Sequence, residues 1–334
     1  MYFPRPATGF HEFHTKLPIF APRISEEHVM NRFKGVLYGI STSVTFGLIP
    51  LFTLPLMGRG MVYDSILFYR FFFASIALGT VMLIKKESFR IEWKDLPVFI
   101  LLAVFYTFSS LFLLYGYGYM GAGVATTLHF TYPVFVTLLM FFIFRERTSL
   151  VTWVAIILAV CGVALLSLPS TGMSADVKGI VIVILSAVAY GSYIVGVNKS
   201  RVRNMNSRKL AFYVFIFTTL IFGGKTVVSD DFQLPPDLSS VGIMVLLAVL
   251  PTVVSNITLV LAVQNIGGTL TSVLGALEPL TAVCIGVLVF GEDFTLREGF
   301  GILLVLVAVT VIVLTGAIQG KMSKVFRKIR PRHA

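Results

Sequence analysis

Ten apolar runs, each roughly 20 residues long, recur along the chain and dictate the solvent in which it folds. They fall at about 35–57, 64–84, 95–117, 121–144, 150–168, 178–197, 210–228, 241–263, 267–290 and 296–318. About 20 apolar residues carry a helix across a bilayer core, and in lipid the backbone must satisfy its own hydrogen bonds. The pattern predicts an all-α polytopic membrane protein with ten transmembrane helices. Composition agrees, at 56% hydrophobic and 13% charged with a mean hydropathy of +0.89.

The net charge of +11 does not mark a nucleic-acid binder, because the basic residues sit in the connections between apolar runs. With the N-terminus inside, the cytoplasmic segments collect 22 of the 27 Lys and Arg, and the outer loops hold only Arg59, Lys178, Lys225 and Arg297. By the positive-inside rule both termini are expected in the cytoplasm, placing the protein in the cytoplasmic (inner) membrane. Arg70 alone lies within a span, the second.

Residues 1–33 read as a tail. The first 29 are polar and punctuated by proline, without the apolar core of a signal peptide, and Met30 opens a short basic lead into the first span. Met30 is the expected biological start. HEFH at 11–14 lacks the four-residue histidine spacing of zinc proteases, and no cofactor or metal motif stands elsewhere. Cys161 and Cys284 lie in apolar runs and read as small buried thiols without a disulfide. Residues 319–334 form a basic cytoplasmic tail.

The two halves repeat one another. A shift of 146 places Pro133 on Pro279, Glu146 on Glu292 and Ser149 on Thr295. A shift of 144 places Lys34 and Gly35 on Lys178 and Gly179, Phe46 and Gly47 on Tyr190 and Gly191, and LFYRFFFASIALG at 67–79 on AFYVFIFTTLIFG at 211–223. Repeats of five spans each, over 34–168 and 178–318 with an outer linker at 169–177, must enter the membrane in opposite senses. They form two inverted five-helix repeats. Inverted repeats are a transporter feature, with substrate bound near the midplane where broken helices meet.

Each half also carries one stretch in which an Ala/Gly-rich entry leads to a central proline and then to a glutamate: GAGVATTLHFTYPVFVTLLMFFIFRER and GGTLTSVLGALEPLTAVCIGVLVFGED. With ten spans in two such halves, the chain resembles the EamA-type drug/metabolite transporter superfamily over residues 34–318. The first half departs in having Arg145 where the second has Gly291. The resemblance implies a secondary transporter of small metabolites, often an exporter, with a central cavity lined by spans one, three, four, six, eight and nine.

Glu278 and His129 are the leading ionisable pair. A carboxylate at bilayer depth costs a few kcal/mol or more unless it faces polar surroundings. Pro133 and Pro279 each lack an amide proton and so release the carbonyl four residues back, that of His129 and that of Gly275. If the two broken spans face one another, His129 and Glu278 line one site and can load and release a proton on alternate sides. The competing structural reading has Glu278 staying protonated and bonded to nearby backbone, and His129 tying two helices together.

Arg70 is placed to bind an anionic substrate, to pair with Asp64, or to snorkel outward. Its counterpart at the 144 shift is Val214, so the repeat does not require it. Phe46, Tyr132, Tyr190 and Tyr193 lie on spans one, four and six beside Gly47, Pro133 and Gly191, as stacking faces for a flat substrate or as helix packing. Asn256, with Ser255, matches Ser110 and Ser109 and offers hydrogen bonds to substrate or between helices. Glu146 and Glu292 read as partners of helix starts.

The expected function is secondary active transport by alternating access: export of small metabolites, amino acids or drug-like compounds, coupled to protons, by a monomer or homodimer. Uptake or facilitated exchange of a polar metabolite such as a sugar is the alternative. A membrane enzyme using His129 and Glu278 as acid and base is a remote one.

Overall fold

The computed structural model describes residues 25–120, 122–146, 148–167, 177–290, 295–297 and 299–311, and among these every regular element is helical. The helices are α1 (Ser25–Phe46), α2 (Ile49–Gly58), α3 (Tyr63–Ile84), α4 (Leu96–Met120), α5 (Ala122–His129), α6 (Tyr132–Phe142) and α7 (Leu150–Ser167). They continue with α8 (Val177–Lys199), α9 (Ser207–Val228), α10 (Leu238–Ala248), α11 (Ser255–Ile266), α12 (Gly268–Leu274), α13 (Leu277–Phe290) and α14 (Gly299–Val311). Residues 169–176 of the expected linker, the basic tail at 319–334, Glu292 and residues 1–24 lie outside the described residues; Val177, the last residue of the expected linker, opens α8, and the expected tail is helical from Ser25.

Six helical stretches are long and apolar enough to cross a membrane: Met30–Gly58, Tyr63–Ile84, Trp93–Tyr119, Val177–Lys199, Ser207–Val228 and Leu238–Ile266. Shorter apolar helices accompany them at Tyr132–Phe142, Leu150–Leu165 and Gly299–Val311. The protein is a multi-pass integral membrane protein.

Contacts between the halves follow the sequence repeat. Helix α1 packs along α11 and α4 along α8, while α3 packs on α9, α6 on α12 and α5 on α13. Exchanging the halves maps each contact onto another or onto itself. The charges show the direction of the α3 and α9 pair: Asp64 in the first turn of α3 meets Lys225 in the last turn of α9, and Glu87 beyond α3 meets Arg208 at the start of α9. These two helices therefore run antiparallel, with an ion pair at each end. Asn206 caps α9 through the Arg208 amide at 2.9 Å, and Asp237 caps α10 through the Ser240 amide at 2.6 Å.

Four spans are interrupted, two more than the paired prolines suggest. Between α1 and α2 the break falls at Gly47 and Leu48, just before Pro50, and between α10 and α11 the chain widens into a π-helical segment, Val249–Val254, around Pro251. Both signals stand in the sequence as prolines within apolar runs, without counterparts in the other half. Cys161 and Cys284 correct the expectation of buried thiols: both are exposed. The outer face of such a bundle is as apolar as its interior, so hydrophobicity alone does not say which way a thiol points.

Candidate functional site

The two proline-broken helices pack against one another, α6 on α12 and α5 on α13. Pro279 cannot donate to the Gly275 carbonyl, and the backbone compensates by one step: the Glu278 amide donates to Gly275 at 2.8 Å instead of to Leu274. The Leu274 carbonyl is left over, and the Ser43 hydroxyl, from α1, lies 3.0 Å from it and 2.9 Å from the Gly39 carbonyl of its own helix, with one hydrogen for the two acceptors. A side chain of the first half thus reaches the freed backbone of the second. In the other broken helix the Thr131 amide donates to Leu128 at 3.1 Å and the Val134 amide to Thr131 at 3.0 Å, three-residue bonds that tighten the chain around Pro133.

Directly before each proline stands the side chain that meets its opposite number. Tyr132 donates its hydroxyl to Glu278 Oε1 at 3.1 Å, both residues being buried. Gly275, just beyond the end of α12, leaves the space that this contact occupies. A Cβ at Gly275 would overlap the Tyr132 hydroxyl oxygen and stand 2.7 Å from Tyr132 Cζ. Gly191 likewise admits the α6 backbone, with the Tyr132 carbonyl 3.4 Å from where its Cβ would be.

His129 turns away from Glu278 toward α8. Its Nδ1 lies 2.9 Å from the Ser186 hydroxyl, which in turn lies 2.6 Å from the Ser109 carbonyl. A carbonyl only accepts, so the single hydroxyl proton of Ser186 goes to Ser109 and His129 Nδ1 must carry the hydrogen that Ser186 accepts. The neutral ring therefore holds its proton on Nδ1, and Nε2 is the nitrogen free to take another. The sequence-derived pair of His129 and Glu278 is thus indirect, with Tyr132 between them, its ring centroid 5.6 Å from that of His129.

Tyr190 is the hub of the aromatic residues. Its ring centroid lies 4.7 Å from Tyr132, edge-on, 5.3 Å from His129, 5.9 Å from Phe46 and 6.3 Å from Tyr193. The Tyr190 hydroxyl is buried without a hydrogen-bond partner among the described residues. Tyr193 donates to Asn256 Oδ1 at 2.9 Å, and Asn256 Nδ2 donates to the Tyr106 hydroxyl at 2.6 Å. Asn256 is fully buried and its amide also reaches the Thr252 carbonyl at 3.3 Å.

Arg70 closes this network. Its Nε donates to Thr252 Oγ1 at 2.7 Å, and its guanidinium lies 5.2 Å from the Phe71 ring centroid. At 3% exposure it does not snorkel. Nor does it pair with Asp64, which bonds instead to Lys225, whose ammonium also reaches the Tyr115 hydroxyl at 3.2 Å. The reason is register: Arg70 lies opposite the π-helical segment, whose irregular backbone brings the Thr252 hydroxyl into reach.

All eight side chains singled out from the sequence, Glu278, His129, Asn256, Tyr132, Phe46, Tyr190, Tyr193 and Arg70, lie in one continuous set of contacts around Pro133 and Pro279. Four participants escaped the sequence reading: Tyr106, Ser186, Thr252 and Ser43. Ser186 had a usable signal, standing four residues before Tyr190 and so on the same helix face. Glu146, read as a helix-start partner, instead pairs with Lys199 at the end of α8.

Comparisons with known proteins agree with this architecture. The sequence model of the EamA-like transporter family matches residues 33–168 and again 177–314. An uncharacterized transporter of Archaeoglobus fulgidus is 28% identical over 246 residues, covering 73% of this chain and 86% of that protein. The uncharacterized transporter YdfC of Bacillus subtilis is 24% identical over 277 residues, covering 80% and 86%. A solved crystal structure, 17% identical, superposes with a TM-score of 0.72 over 84% of this chain and 96% of its own, which shows a shared fold.

Proposed function

The chain belongs to the EamA-like transporter family, and from that premise we propose that it is a secondary active exporter of small metabolites, working by alternating access in the cytoplasmic membrane. In this reading ten spans form two inverted repeats, 34–168 and 178–318, with both termini in the cytoplasm. The site is the set of side chains around the crossing of the two broken helices.

The observation that carries the proposal is the bond between Tyr132 and Glu278. It joins the two halves at the one carboxylate among the described residues of α12 and α13, next to two interrupted helices, one of which has its freed backbone within reach of a hydroxyl from the other half. An ionisable group at membrane depth is a functional-site candidate by default. We assign Glu278 as the coupling residue: it takes a proton from one side, exchanges it for substrate on the other, and its bond to Tyr132 reports which half is closed over it.

The test is metabolite profiling of the medium from cells producing the wild type or Glu278→Gln at matched membrane levels. A compound that accumulates outside only with the wild type, and ceases to do so when a protonophore is added, is the expected result. Matching media from the two strains would sink the assignment of Glu278 as coupling residue, and media that also match that of cells without the protein would sink the exporter assignment.

A further inference from the structure

The connection between α3 and α4 carries a charge pattern that neither its fold nor its orientation requires. It joins two span ends, Ile84 and Trp93, so residues 85–92 lie at the membrane surface. Its acids are taken up by two arginines of the other half: Arg208 holds Glu87 through Nε at 2.9 Å, and Arg201 holds Glu92 at 2.9 Å and Asp95 at 2.8 Å. Its bases, Lys85, Lys86, Arg90 and Lys94, are exposed, and none of their side chains makes an ion pair or hydrogen bond among the described residues. Orientation in the membrane calls for cations on one side, but not for cations freed of the acids beside them. The backbone is held from the same quarter, with Lys209 donating to the Arg90 carbonyl at 2.8 Å and the Tyr213 hydroxyl to the Phe89 carbonyl. The surface is therefore preformed.

The backbone shows that one of these cations is kept against local preference. Lys86 has φ 53°, the left-handed conformation that glycine takes without strain, and the Glu87 amide beyond it donates to the Met82 carbonyl at 2.9 Å to cap α3. At the 144 shift Asp230, φ 54°, caps α9 in the same way, through the Asp231 amide and the Thr226 carbonyl at 3.1 Å. One geometry thus carries a base at one membrane surface and an acid at the other. The same shift places Lys85 on Ser229, Arg90 on Leu234 and Lys94 on Leu238. The repeat preserves the cap and none of the bases.

Beside the bases stand the exposed Leu83 and Ile84, and Trp93 with 88% of its surface open. Cations around an indole, flanked by the apolar ends of two spans, fit an anionic layer with an apolar one beneath it. We propose that this connection docks anionic phospholipid, its four bases on the headgroup phosphates and Trp93 in the layer below them. With both termini in the cytoplasm, as proposed above, the lipid is that of the cytoplasmic leaflet. The assignment rests on that orientation and is independent of what is transported.

The chain has two tryptophans, so Trp93 is the sole emitter in a Trp153→Phe background. Full-length protein is reconstituted in nanodiscs of mixed phosphatidylglycerol and phosphatidylcholine, one or the other brominated close to the headgroup, and quenching of Trp93 reads the lipid composition around it. Phosphatidylglycerol is expected to be enriched about fivefold over the bulk, the effect of one such contact, and to return to the bulk ratio at about 1 M salt. Replacing Lys85, Lys86, Arg90 and Lys94 together by glutamine should abolish the enrichment. Arg201→Gln, which keeps all four bases but leaves Glu92 and Asp95 unneutralised, should lower it part way. A tryptophan introduced at Leu234, the counterpart of Arg90, into a chain without Trp93 and Trp153 should report the bulk ratio. Thermal unfolding verifies that each variant is folded, and the salt series needs no variant. Bulk composition around Trp93 in the wild type, or a preference that survives both salt and the glutamine variant, overturns the assignment and leaves the orientation and the transporter reading standing. Trp93 unquenched by either lipid gives the surface to a soluble acidic partner instead. Labelling of Ser88→Cys from outside intact cells by an impermeant maleimide, with Cys161 and Cys284 replaced by serine, overturns the orientation and the proposal with it.

Discussion

Tyr132 and Glu278 stand 146 residues apart, the spacing that superposes the two prolines following them, and they are hydrogen-bonded to each other at 3.1 Å. Residues related by the repeat meet across its axis. Phe46 and Tyr190, 144 residues apart, do the same through an edge-on ring contact at 5.9 Å. At both places the repeat has kept the position and changed the chemistry, so a self-complementary contact has become a donor facing an acceptor or an edge facing a ring.

Two tyrosine-to-phenylalanine changes should act in opposite directions. Tyr132→Phe leaves a buried carboxylate oxygen without its donor and is expected to cost about 1–3 kcal/mol. Tyr190→Phe removes a hydroxyl that is buried with no partner among the described residues, and is expected to leave stability unchanged or raise it. Thermal unfolding of the two variants in one detergent decides it; equal losses would mean that the Tyr190 hydroxyl has a partner.

Gly275→Ala is expected to destabilise although alanine is the better helix former. The added methyl falls on the Tyr132 hydroxyl and lies 2.9 Å from the Ser272 carbonyl, an overpacking that costs about 1–3 kcal/mol. The backbone there has ordinary negative φ, so the cost is steric. Tyr132→Leu in the same chain should recover part of the loss, and a double-mutant cycle read by unfolding temperature measures how much.

Acid should loosen the end of the α3 and α9 pair that faces Glu87. Its hydrogen bond to Arg208 and the charges of Arg208 and Lys85 hold the Glu87 carboxyl below its ordinary value. A depressed carboxylate contributes stability that is fully present above the unfolded pKa of about 4.3 and is lost as pH falls through the lower folded value. Unfolding temperatures scanned from neutral pH downward should therefore drop below about pH 4.3, and Glu87→Gln should flatten that part of the slope. An identical slope in the variant would assign the acid sensitivity elsewhere.

The packing of α4 on α8 is open to a direct chemical check. A Cβ at Gly116 would stand 3.7 Å from Val183 Cβ, within the usual disulfide range of about 3.5–4.5 Å. In a chain with Cys161 and Cys284 replaced by serine, Gly116→Cys with Val183→Cys is expected to cross-link under mild oxidation. Gly58→Cys with Val183→Cys is not, since nothing lies within 4 Å of a Cβ at Gly58. Failure of the first pair to shift on a gel, or cross-linking of the second, would count against the helix pairing.

Much of this was legible because the forces involved are periodic or local. Apolar runs gave the helices, and Pro133 and Pro279 gave the two crossing breaks, since a missing amide proton is a property of the residue itself. The residues that escaped act across the bundle. Tyr106 is one aromatic among many in its run until Asn256 reaches it, and Thr252 becomes a partner for Arg70 only because Pro251 sits in a widened turn. Whether His129 would face Glu278 or Ser186 depended on the rotation of one helix half about its break, which spacing along the chain does not encode. The same holds for Cys161 and Cys284, because a lipid-facing position and a core position use the same residues.

The Ser43 hydroxyl, shared between the Gly39 and Leu274 carbonyls, brings a donor from the first half to the interruption in the second. Any motion that parts α1 from α12 withdraws that hydroxyl, and the bared carbonyl then needs another donor at membrane depth. It can find one by closing the gap into a regular turn, or by accepting from whatever has entered between the halves. Under the alternating access proposed above, opening the protein and changing the polarity of its interior would be a single event, with the seam between the repeats as a valve whose seat is made of backbone.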